Sequence, residues 1–408
     1  MTAGARTTIV TQGAEEISSH PPLALLSRCL QAFSPDTPPE KWAGGAVGYF
    51  SYDLARRYIK LPTQADGAGA LPEMAIGIYD GMIVVDHMTR RCQIHVQQSE
   101  QGFAWGHRIL NLLHQPHDAL PAFHVHGTLH SNMRFGDYEQ AFQNIQRLIQ
   151  AGDCYQVNLA MRFSACFSGH PWHAYVALRQ SNPATYGAWL NLPFAKILSS
   201  SPESFLQVDA GQVETRPIKG TRPRHQDARL DADLAADLAC SVKDRAENLM
   251  IVDLLRNDLG KVCVPGSIQV PELFRVESYA TVHHLISQVR GRLYSACTPL
   301  DVLAATFPGG SITGAPKLRA MQIIESLESQ RRGVYCGSIG YLGFDAAMHL
   351  NIAIRTLVCS HTEVSYWVGS GVVADSEVAA EYQECLDKGV AIQRVLHHFQ
   401  HVEDLFGA

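Results

Sequence analysis

The 408-residue sequence lacks the features that mark membrane, secreted and nucleic-acid-binding proteins. No continuous apolar run is long enough to span a bilayer, and the amino terminus has no apolar signal-peptide stretch. The formal net charge of -6 and the pI near 6.3 give no electrostatic reason to expect nucleic acid or an anionic membrane as a partner. We therefore expect a cytoplasmic protein without nucleic-acid or membrane partners.

Cysteine pairs are also missing from the sequence. The ten cysteines are scattered singly with no CxxC motif, which predicts reduced thiols rather than a disulfide framework. Five histidines fall between His114 and His130, where a metal site is conceivable. Their spacing matches no helix-borne pair, and two prolines interrupt them, which favours a polar connection or a short edge strand.

Strand-like and helix-like segments alternate without the regular rhythm of a parallel sheet. Residues 1–120 are rich in aromatic and β-branched residues broken by glycine, so we expect a strand-rich segment that packs into the same fold as residues 121–408. Helical spacing is clear in residues 137–152 and 243–260, after Pro316, and from about Ser376 onward. The pattern predicts an α+β fold in which sheets pack together and helices cover them.

Two pairs of acidic residues lie at helical spacing. Asp244 and Glu247 share one face of a predicted helix, and Glu381 and Glu384 share a face of the last helix. Together they could hold a hard divalent cation such as Mg²⁺, which takes a few carboxylates plus water and substrate oxygens. From spacing alone, two solvated helix faces are the favoured explanation.

A lysine stands among arginines in "VETRPIKGTRPR", residues 213–224. An amine attacks only when it is unprotonated, and nearby positive charge lowers the pKa of a lysine. Arg216, Arg222 and Arg224 would supply that charge to Lys219 if their side chains lay close. A basic loop that binds an anion or lies in solvent explains the same residues about equally well.

Three further segments contain candidate site residues. Glu203 in "SSSPESF" precedes Lys219 by sixteen positions, so a hairpin could bring an acid beside a nucleophile. The glycine-rich stretch "FPGGSITGAPK" leads into a helix, where backbone N–H groups attract anions such as a carboxylate. His283 and His284 are adjacent on an extended segment and therefore point to opposite faces.

Taken together, these segments resemble the chorismate-utilising enzymes, a family that includes anthranilate, isochorismate and aminodeoxychorismate synthases. The resemblance runs from residue 44 to the last helix. It implies a two-sheet core flanked by helices, as in anthranilate synthase component I, with residues 121–408 as the catalytic domain. The strongest stretches are "GDCYQVNLAMRF", "SPESF", "VETRPIKGTRPR", "AENLMIVDLLRNDLGKV", "HHLISQV", "PGGSITGAPKLRAMQIIESLE", "YCGSIGYLG", "NIAIRT" and "GSGVVADSEVAAEYQEC".

Two positions indicate which reaction of the family to expect. Lys219 in "PIKGT" resembles the covalent nucleophile of aminodeoxychorismate synthases, where anthranilate synthases look like "PIAGT". Gln156 stands where isochorismate synthases have a lysine that activates water. The resemblance therefore implies formation of 4-amino-4-deoxychorismate, a precursor of p-aminobenzoate and folate. The chain shows no glutaminase motif, so ammonia would come from a separate glutamine amidotransferase subunit.

The resemblance also implies a role for each candidate residue. Lys219 would attack C2 of chorismate, Glu203 would protonate the departing C4 hydroxyl, and His284 would lie beside the reacting ring. Tyr335 and Arg355 would hold the enolpyruvyl carboxylate. The implied Mg²⁺ ligands are chiefly Glu247 and Glu384, with Asp244 and Glu381 around them, and the remaining substrate-binding residues are Gly220, Ser311 and Gly371.

Two other functions stay open at this point. The chain could be another chorismate enzyme that makes anthranilate or stops at an amino-isochorismate, although Lys219 and Gln156 argue against both. It could also be a non-catalytic binding or regulatory subunit that keeps the fold. Loss of a metal carboxylate or of the lysine would indicate such a subunit, and none is lost.

Overall fold

The computed structural model describes residues 1–11, 13–34, 44–67 and 71–400. The helices are α1 Pro22–Phe33, α2 Glu100–Leu113, α3 Phe135–Gln150, α4 Trp172–Ser181, α5 Ala228–Cys240, α6 Val242–Gly260, α7 Pro299–Thr306, α8 Lys317–Leu327 and α9 Val378–His398. Two 3₁₀ turns cover Tyr52–Arg57 and Gly310–Ile312.

The strands fall into two large sheets and one hairpin. They are β1 Thr2–Ala3, β2 Arg6–Thr11, β3 Ala14–Ser18, β4 Gly45–Phe50, β5 Met74–Tyr79, β6 Gly81–Asp86, β7 Arg91–Val96, β8 His124–Ser131, β9 Gln156–Ser168, β10 Tyr186–Asn191, β11 Lys196–Ser201, β12 Ser204–Asp209, β13 Gln212–Thr215, β14 Ile218–Pro223, β15 Gln269–Ser278, β16 Val282–Arg292, β17 Gly314–Ala315, β18 Ser338–Gly343, β19 Met348–Asn351, β20 Thr356–Ser360 and β21 Glu363–Val372.

The larger sheet runs in the order β14-β16-β13-β12-β19-β18-β4-β5-β1-β2-β3, and β15 also pairs with β16. The smaller sheet runs β10-β11-β20-β21-β9-β17, with β8 paired to β9 at one side. Strands β6 and β7 form a separate hairpin. Apolar clusters fill the space between sheets and helices. The predicted α+β fold, a two-sheet core flanked by helices, is confirmed.

Strands from both ends of the chain build the larger sheet. The amino-terminal strand β4 pairs with β18 from Phe50 opposite Ser338 to Gly45 opposite Gly343. The first 120 residues also contain α1 and α2, which the strand-like pattern did not predict. How the chain divides into domains stays a prediction.

The helices expected from periodicity are present, with small changes at their ends. Helix α3 buries Tyr138, Phe142 and Ile145, and Gly152 follows it with a φ of +80°, which suits a glycine stop. Helix α8 begins at Lys317, directly after Pro316, and α9 begins at Val378. Periodicity thus located the interiors of these helices better than their first residues.

The histidine-rich connection contains a short strand. Within it, β8 pairs antiparallel with β9, which agrees with the edge-strand interpretation. His126 Nε2 lies 2.8 Å from Ser168 Oγ across this pair. Among the helices formed by the described residues, none is long and apolar enough to cross a membrane.

Candidate active site

Lys219 lies where the two sheets approach each other, and we call the space around its amine the cleft. Its strand, β14, forms the edge of the larger sheet, and its side chain reaches β21 of the smaller one. The amine donates a hydrogen bond to the Ser311 carbonyl oxygen at 3.3 Å. The same nitrogen lies 3.6 Å from the position that a Cβ on Gly371, in β21, would take. Lys219 therefore contacts elements that are far from it in sequence.

The arginines that neighbour Lys219 in the sequence pair with carboxylates and do not supply a cationic environment to its amine. That part of the sequence interpretation is wrong. Each one is paired with a carboxylate of its own: Arg216 with Glu277 at 2.5 Å, Arg222 with Asp237 at 2.7 Å and Arg224 with Asp231 at 2.8 Å. Lys219 lies instead near Glu203, Glu247 and Glu384: burial acts to raise the pKa of each of these carboxyl groups, and the positive charge of Lys219 acts against it. The local environment of the amine is acidic.

Glu203 is a buried carboxyl group beside this amine. It precedes β12, is 6 % exposed, and accepts a hydrogen bond from Ser311 Oγ at 2.8 Å. Burial raises its pKa, while the Ser311 hydrogen bond and the charge of Lys219 lower it in part. Since the net direction is upward, Glu203 holds a proton more readily than an exposed glutamate. The expected meeting of Glu203 and Lys219 is therefore present.

His284 and His283 point to opposite faces of β16, as their adjacency predicts. His284 Nδ1 lies 2.9 Å from Thr221 Oγ1, whereas His283 Nε2 lies 3.0 Å from Asp231 on α5. Burial lowers the pKa of His284 to about 4, and the charge of Arg355 adds to the effect. His284 is therefore a neutral imidazole facing the cleft. His283 links α5 to β16 through its hydrogen bond with Asp231.

Arg355 and Tyr335 both lie near the cleft, on segments with unusual backbone conformations. Arg355 has a φ of +50°, a region that residues with side chains enter at a cost of about 1 kcal/mol or more. Its charge acts on both Glu203 and His284. The buried Tyr335 stacks on Trp367, with the ring centroids 5.9 Å apart. The Arg355 guanidinium thus lies near Glu203 and His284, and the Tyr335 hydroxyl lies 2.9 Å from the Cβ position of Gly369 in β21.

Two glycines of strand β21 face this cleft at positions where a side chain would crowd its neighbours. A Cβ on Gly371 would lie 2.4 Å from Gln156 Nε2, and one on Gly369 would lie 2.9 Å from the Tyr335 hydroxyl. Gly369 and Gly371 are two residues apart and therefore present the same face. Gln156 is 1 % exposed, and neither its Nε2 nor its Oε1 has a hydrogen-bond partner within the described residues. The backbone of β21 at Gly369 and Gly371 carries no side chains on this face, and the Gln156 amide beside it is available to hydrogen-bond a polar molecule.

Of the four predicted metal carboxylates, Glu381 and Glu384 lie near enough to Glu247 for their charges to act on it. Glu247 on α6 is half-buried, and burial raises its pKa, with the charges of Glu381 and Glu384 on α9 acting in the same direction. Asp244 lies to one side, where it pairs with Arg222 at 3.3 Å. A Cβ on Gly220 would lie 2.8 Å from the Asp244 Cγ, and the φ of Gly220 is +82°, so this close approach needs glycine.

The structure places two lysines beside the carboxylates of α9. Lys388 donates to the Gly369 carbonyl at 2.9 Å and pairs with Glu384 at 2.8 Å. Lys243 lies 3.5 Å from Glu381. Burial would raise the pKa of Glu384, but Lys388 and Lys219 outweigh it and hold that pKa low. The i,i+4 spacing of Glu384 and Lys388 was the available signal.

These carboxylates suit Mg²⁺ in type and number. Among the described residues, no three acidic, histidine or cysteine side chains converge on one point that could hold a metal. Mg²⁺ does not require three, because it keeps several waters and takes one or two carboxylates plus substrate oxygens. Glu247 and Glu384 are hard oxygen donors; burial raises the pKa of Glu247, with smaller contributions from the charges of Glu381 and Glu384, and a cation would favour its ionised form. The residues present therefore fit the ion.

Comparison with known proteins places this geometry in a family. The family model described as chorismate binding enzyme matches residues 1–394. This chain belongs to the chorismate-binding enzymes. Similar members include the aminodeoxychorismate synthase component 1 of Salmonella typhimurium, 45 % identical over 97 % of this chain and 86 % of that protein. The Escherichia coli protein of the same name is 47 % identical over 88 % of this chain and 77 % of its own length.

A solved structure of the family has the same fold. The crystal structure of anthranilate synthase component I from Streptococcus pneumoniae superposes with a TM-score of 0.84. It is 32 % identical in sequence, and the match covers 95 % of this chain and 89 % of the other. That anthranilate synthase component I therefore shares the two-sheet fold in which Lys219 lies.

Proposed function

We propose that this enzyme is the aminating component of an aminodeoxychorismate synthase, converting chorismate and ammonia to 4-amino-4-deoxychorismate and water. The observation that carries the proposal is the position of Lys219, whose Nζ lies in the cleft 3.3 Å from the Ser311 carbonyl. Ser311 in turn donates to Glu203, so a nucleophile and an acid flank one space. Relatives of that name at 45 % and 47 % identity support the assignment.

In the first step, Lys219, whose ammonium has first released a proton to solvent, forms a bond as the neutral amine from Nζ to C2 of the substrate ring. The C1=C2 and C5=C6 double bonds shift to C6=C1 and C4=C5, and the C4–O bond breaks. Glu203 gives its proton to the departing oxygen, which leaves as water. The upward direction of the Glu203 pKa supports this role, because a general acid must hold its proton until it is needed.

In the second step, ammonia adds at C4 and the diene returns to C1=C2 and C5=C6. The bond from C2 to Lys219 breaks, the amine leaves with its electron pair, and the excess proton on the new C4 nitrogen passes to the Glu203 carboxylate. Both residues end as they began. Gln156 faces this space with an amide, which has no basic lone pair to deprotonate water, so water is not activated in place of ammonia.

The substrate is a dianion, and we assign each of its carboxylates to a cationic group. Glu247 and Glu384 would hold Mg²⁺, with Asp244 and Glu381 around them. Bound there, the ion supplies positive charge for the ring carboxylate. Arg355, with the Tyr335 hydroxyl, would take the enolpyruvyl carboxylate, since a guanidinium fork suits that anion. His284 would then be a neutral hydrogen-bonding wall beside the ring, while Gly220 and Gly371 leave room for it.

Ammonia would come from a separate glutamine amidotransferase subunit. The relatives are named component 1, which supports a second component for this chain as well. The product would feed p-aminobenzoate and folate formation.

Product identity tests the proposal. The purified chain would be incubated with chorismate, Mg²⁺ and an ammonium salt at alkaline pH, and the products resolved by chromatography and mass. We expect 4-amino-4-deoxychorismate, which aminodeoxychorismate lyase converts to p-aminobenzoate. Anthranilate or isochorismate as the main product would overturn the assignment, and failure to consume chorismate would favour a non-catalytic subunit.

A further inference from the structure

A buried ion pair, to which no catalytic or metal-binding role has been assigned, links several of the elements that form the cleft. Arg332 follows α8, and Glu328 lies one helical turn earlier; their side chains are 1 % and 2 % exposed. Arg332 Nε donates to Glu328 Oε2 at 2.8 Å, and Nη2 donates to Oε1 at 2.6 Å. This is a bidentate pair, with geometry that lysine cannot reproduce.

The remaining donors of the guanidinium reach two backbone carbonyls. Nη1 donates to Ile312 at 3.0 Å, and Nη2 donates to Asn158 at 2.7 Å. Glu328 Oε1 accepts a hydrogen bond from the Ala160 backbone at 3.0 Å. The pair therefore joins the end of α8, the 310–312 turn and strand β9 at one buried point.

Each of these attachments is next to a cleft residue. Ile312 follows Ser311, whose carbonyl holds Lys219 and whose hydroxyl holds Glu203. Asn158 pairs with Gly371 across β9 and β21. Arg332 also stands 5.7 Å from the centre of the Tyr335 ring, and its carbonyl accepts the Tyr335 backbone N–H at 3.2 Å.

Stability alone does not account for such a pair. Removing two ions from water costs several kcal/mol each, and replacing a buried pair by well-packed apolar side chains is often neutral or stabilising. What apolar side chains cannot do is bind the Ile312 and Asn158 carbonyls. We therefore attribute to the pair the positioning of the two segments that contain Ile312 and Asn158.

We propose that Arg332, oriented by Glu328, is a positioning residue for the reaction: it fixes the 310–312 turn so that Ser311 holds Lys219 and Glu203 in register across the cleft. The inference rests on the proposed function for its catalytic consequence. The structural part of the inference, that Arg332 maintains the hydrogen bond from Lys219 to the Ser311 carbonyl, can be measured without turnover.

The test uses the double variant Glu328→Met, Arg332→Met, which removes both charges together and leaves neither unpaired. Arg332→Lys is the second variant, since it keeps the charge but not the fork. Arg319→Met is the matched control, because Arg319 is an exposed arginine on α8 paired with Asp153 at 2.7 Å. Circular dichroism and the urea midpoint show which variants are folded.

The first readout is the rate at which Lys219 is dimethylated by formaldehyde and borohydride, followed by peptide mass mapping. With the turn released, Lys219 loses its carbonyl partner, and we expect at least a threefold faster rate in any folded variant of Arg332. The rate at Lys196, which begins β11 and donates to the Leu192 carbonyl at 2.8 Å, should stay unchanged. Lys219 labelling at the wild-type rate in a folded variant would overturn the inference, whatever reaction the enzyme performs.

The second readout is a mutant cycle with Ser311→Ala on kcat and KM. If Arg332 acts through Ser311, kcat falls at least tenfold in the double variant, KM changes less, and adding Ser311→Ala costs much less than it does in the wild type. Fully additive effects in folded proteins would contradict positioning through Ser311. If the wild type itself formed no product aminated at C4, that result would instead count against the proposed function.

Discussion

The hydrogen bond from Ser311 to Glu203 makes a measurable prediction about the pH dependence of turnover. Ser311→Ala removes the hydroxyl that donates to Glu203 Oε1 at 2.8 Å. This bond favours the ionised carboxylate, so its loss raises the pKa of Glu203 further. Because a general acid works while it is protonated, the alkaline limb of kcat/KM should move to higher pH.

The size of the movement follows from the environment of the carboxyl group. A hydrogen bond to a charged group contributes about 1.5–3 kcal/mol. Ser311 is half-buried, so water replaces part of that contribution, and the lower figure applies. At about 1.4 kcal/mol for each pH unit, the limb should move up by about one unit.

The assay is initial-rate chorismate consumption with saturating ammonia and Mg²⁺, followed from about pH 6 to pH 10 in buffers of constant ionic strength. Ser326→Ala is the control, because the Ser326 hydroxyl bonds only within α8, to the Ile323 carbonyl. Its profile should match the wild type. An alkaline limb that stays in place in Ser311→Ala, or moves to lower pH, would refute Glu203 as the acid that this hydroxyl tunes.

Three further predictions concern the metal, the histidine and Gly371 of β21. Glu384→Gln should raise the Mg²⁺ concentration that gives the half-maximal rate by about tenfold or more, which is a loss of at least ~1.4 kcal/mol of Mg²⁺ binding. The control Asp387→Asn, at an exposed position on the same helix, should leave it unchanged. An unchanged Mg²⁺ response in Glu384→Gln would rule out Glu384 as a ligand of the ion. With a pKa of about 4 when folded and 6.5 when unfolded, His284 takes up its proton first in the unfolded chain, so the unfolding free energy should fall by about 2 kcal/mol from pH 7 to pH 5. Urea titrations should find that fall reduced in His284→Gln, and an equal fall in both proteins would count against it. Gly371→Ala should lower kcat/KM by at least about tenfold, or ~1.4 kcal/mol, with the fold retained, because its Cβ would meet Gln156 Nε2 at 2.4 Å. Near-normal kinetics would mean that β21 is not tightly packed against Gln156 at this position.

The general fold was predictable from local pattern, but the pairing of distant strands was not. Helix α3 was visible because Tyr138, Phe142 and Ile145 repeat at helical spacing. Helix α1 was missed, although Leu23, Leu26 and Leu30 follow the same spacing. The pairing of β4 with β18 joins residues about 290 positions apart. Nothing local in either strand specifies such a partner.

The site residues were identified by resemblance, and their environments required the structure. Sequence proximity suggested that Arg222 would act on Lys219, but Arg222 is bound to Asp237 and Asp244. Lys388 is exposed and pairs with Glu384, as i,i+4 spacing predicts, and its amine also reaches the Gly369 carbonyl of β21, which that spacing does not indicate. Both contacts required the structure, because the direction of a long side chain depends on the elements packed around it.

The central claim is that Lys219 occupies C2 of chorismate and so directs ammonia to C4. The measurement that tests it most directly is NMR of the product formed from ¹⁵N-ammonium by the wild type and by Lys219→Ala, with total protein and folding matched. The account predicts nitrogen on C4 from the wild type, and from Lys219→Ala either no aminated product or nitrogen on C2. Product labelled at C4 and formed by Lys219→Ala at the wild-type rate would contradict it.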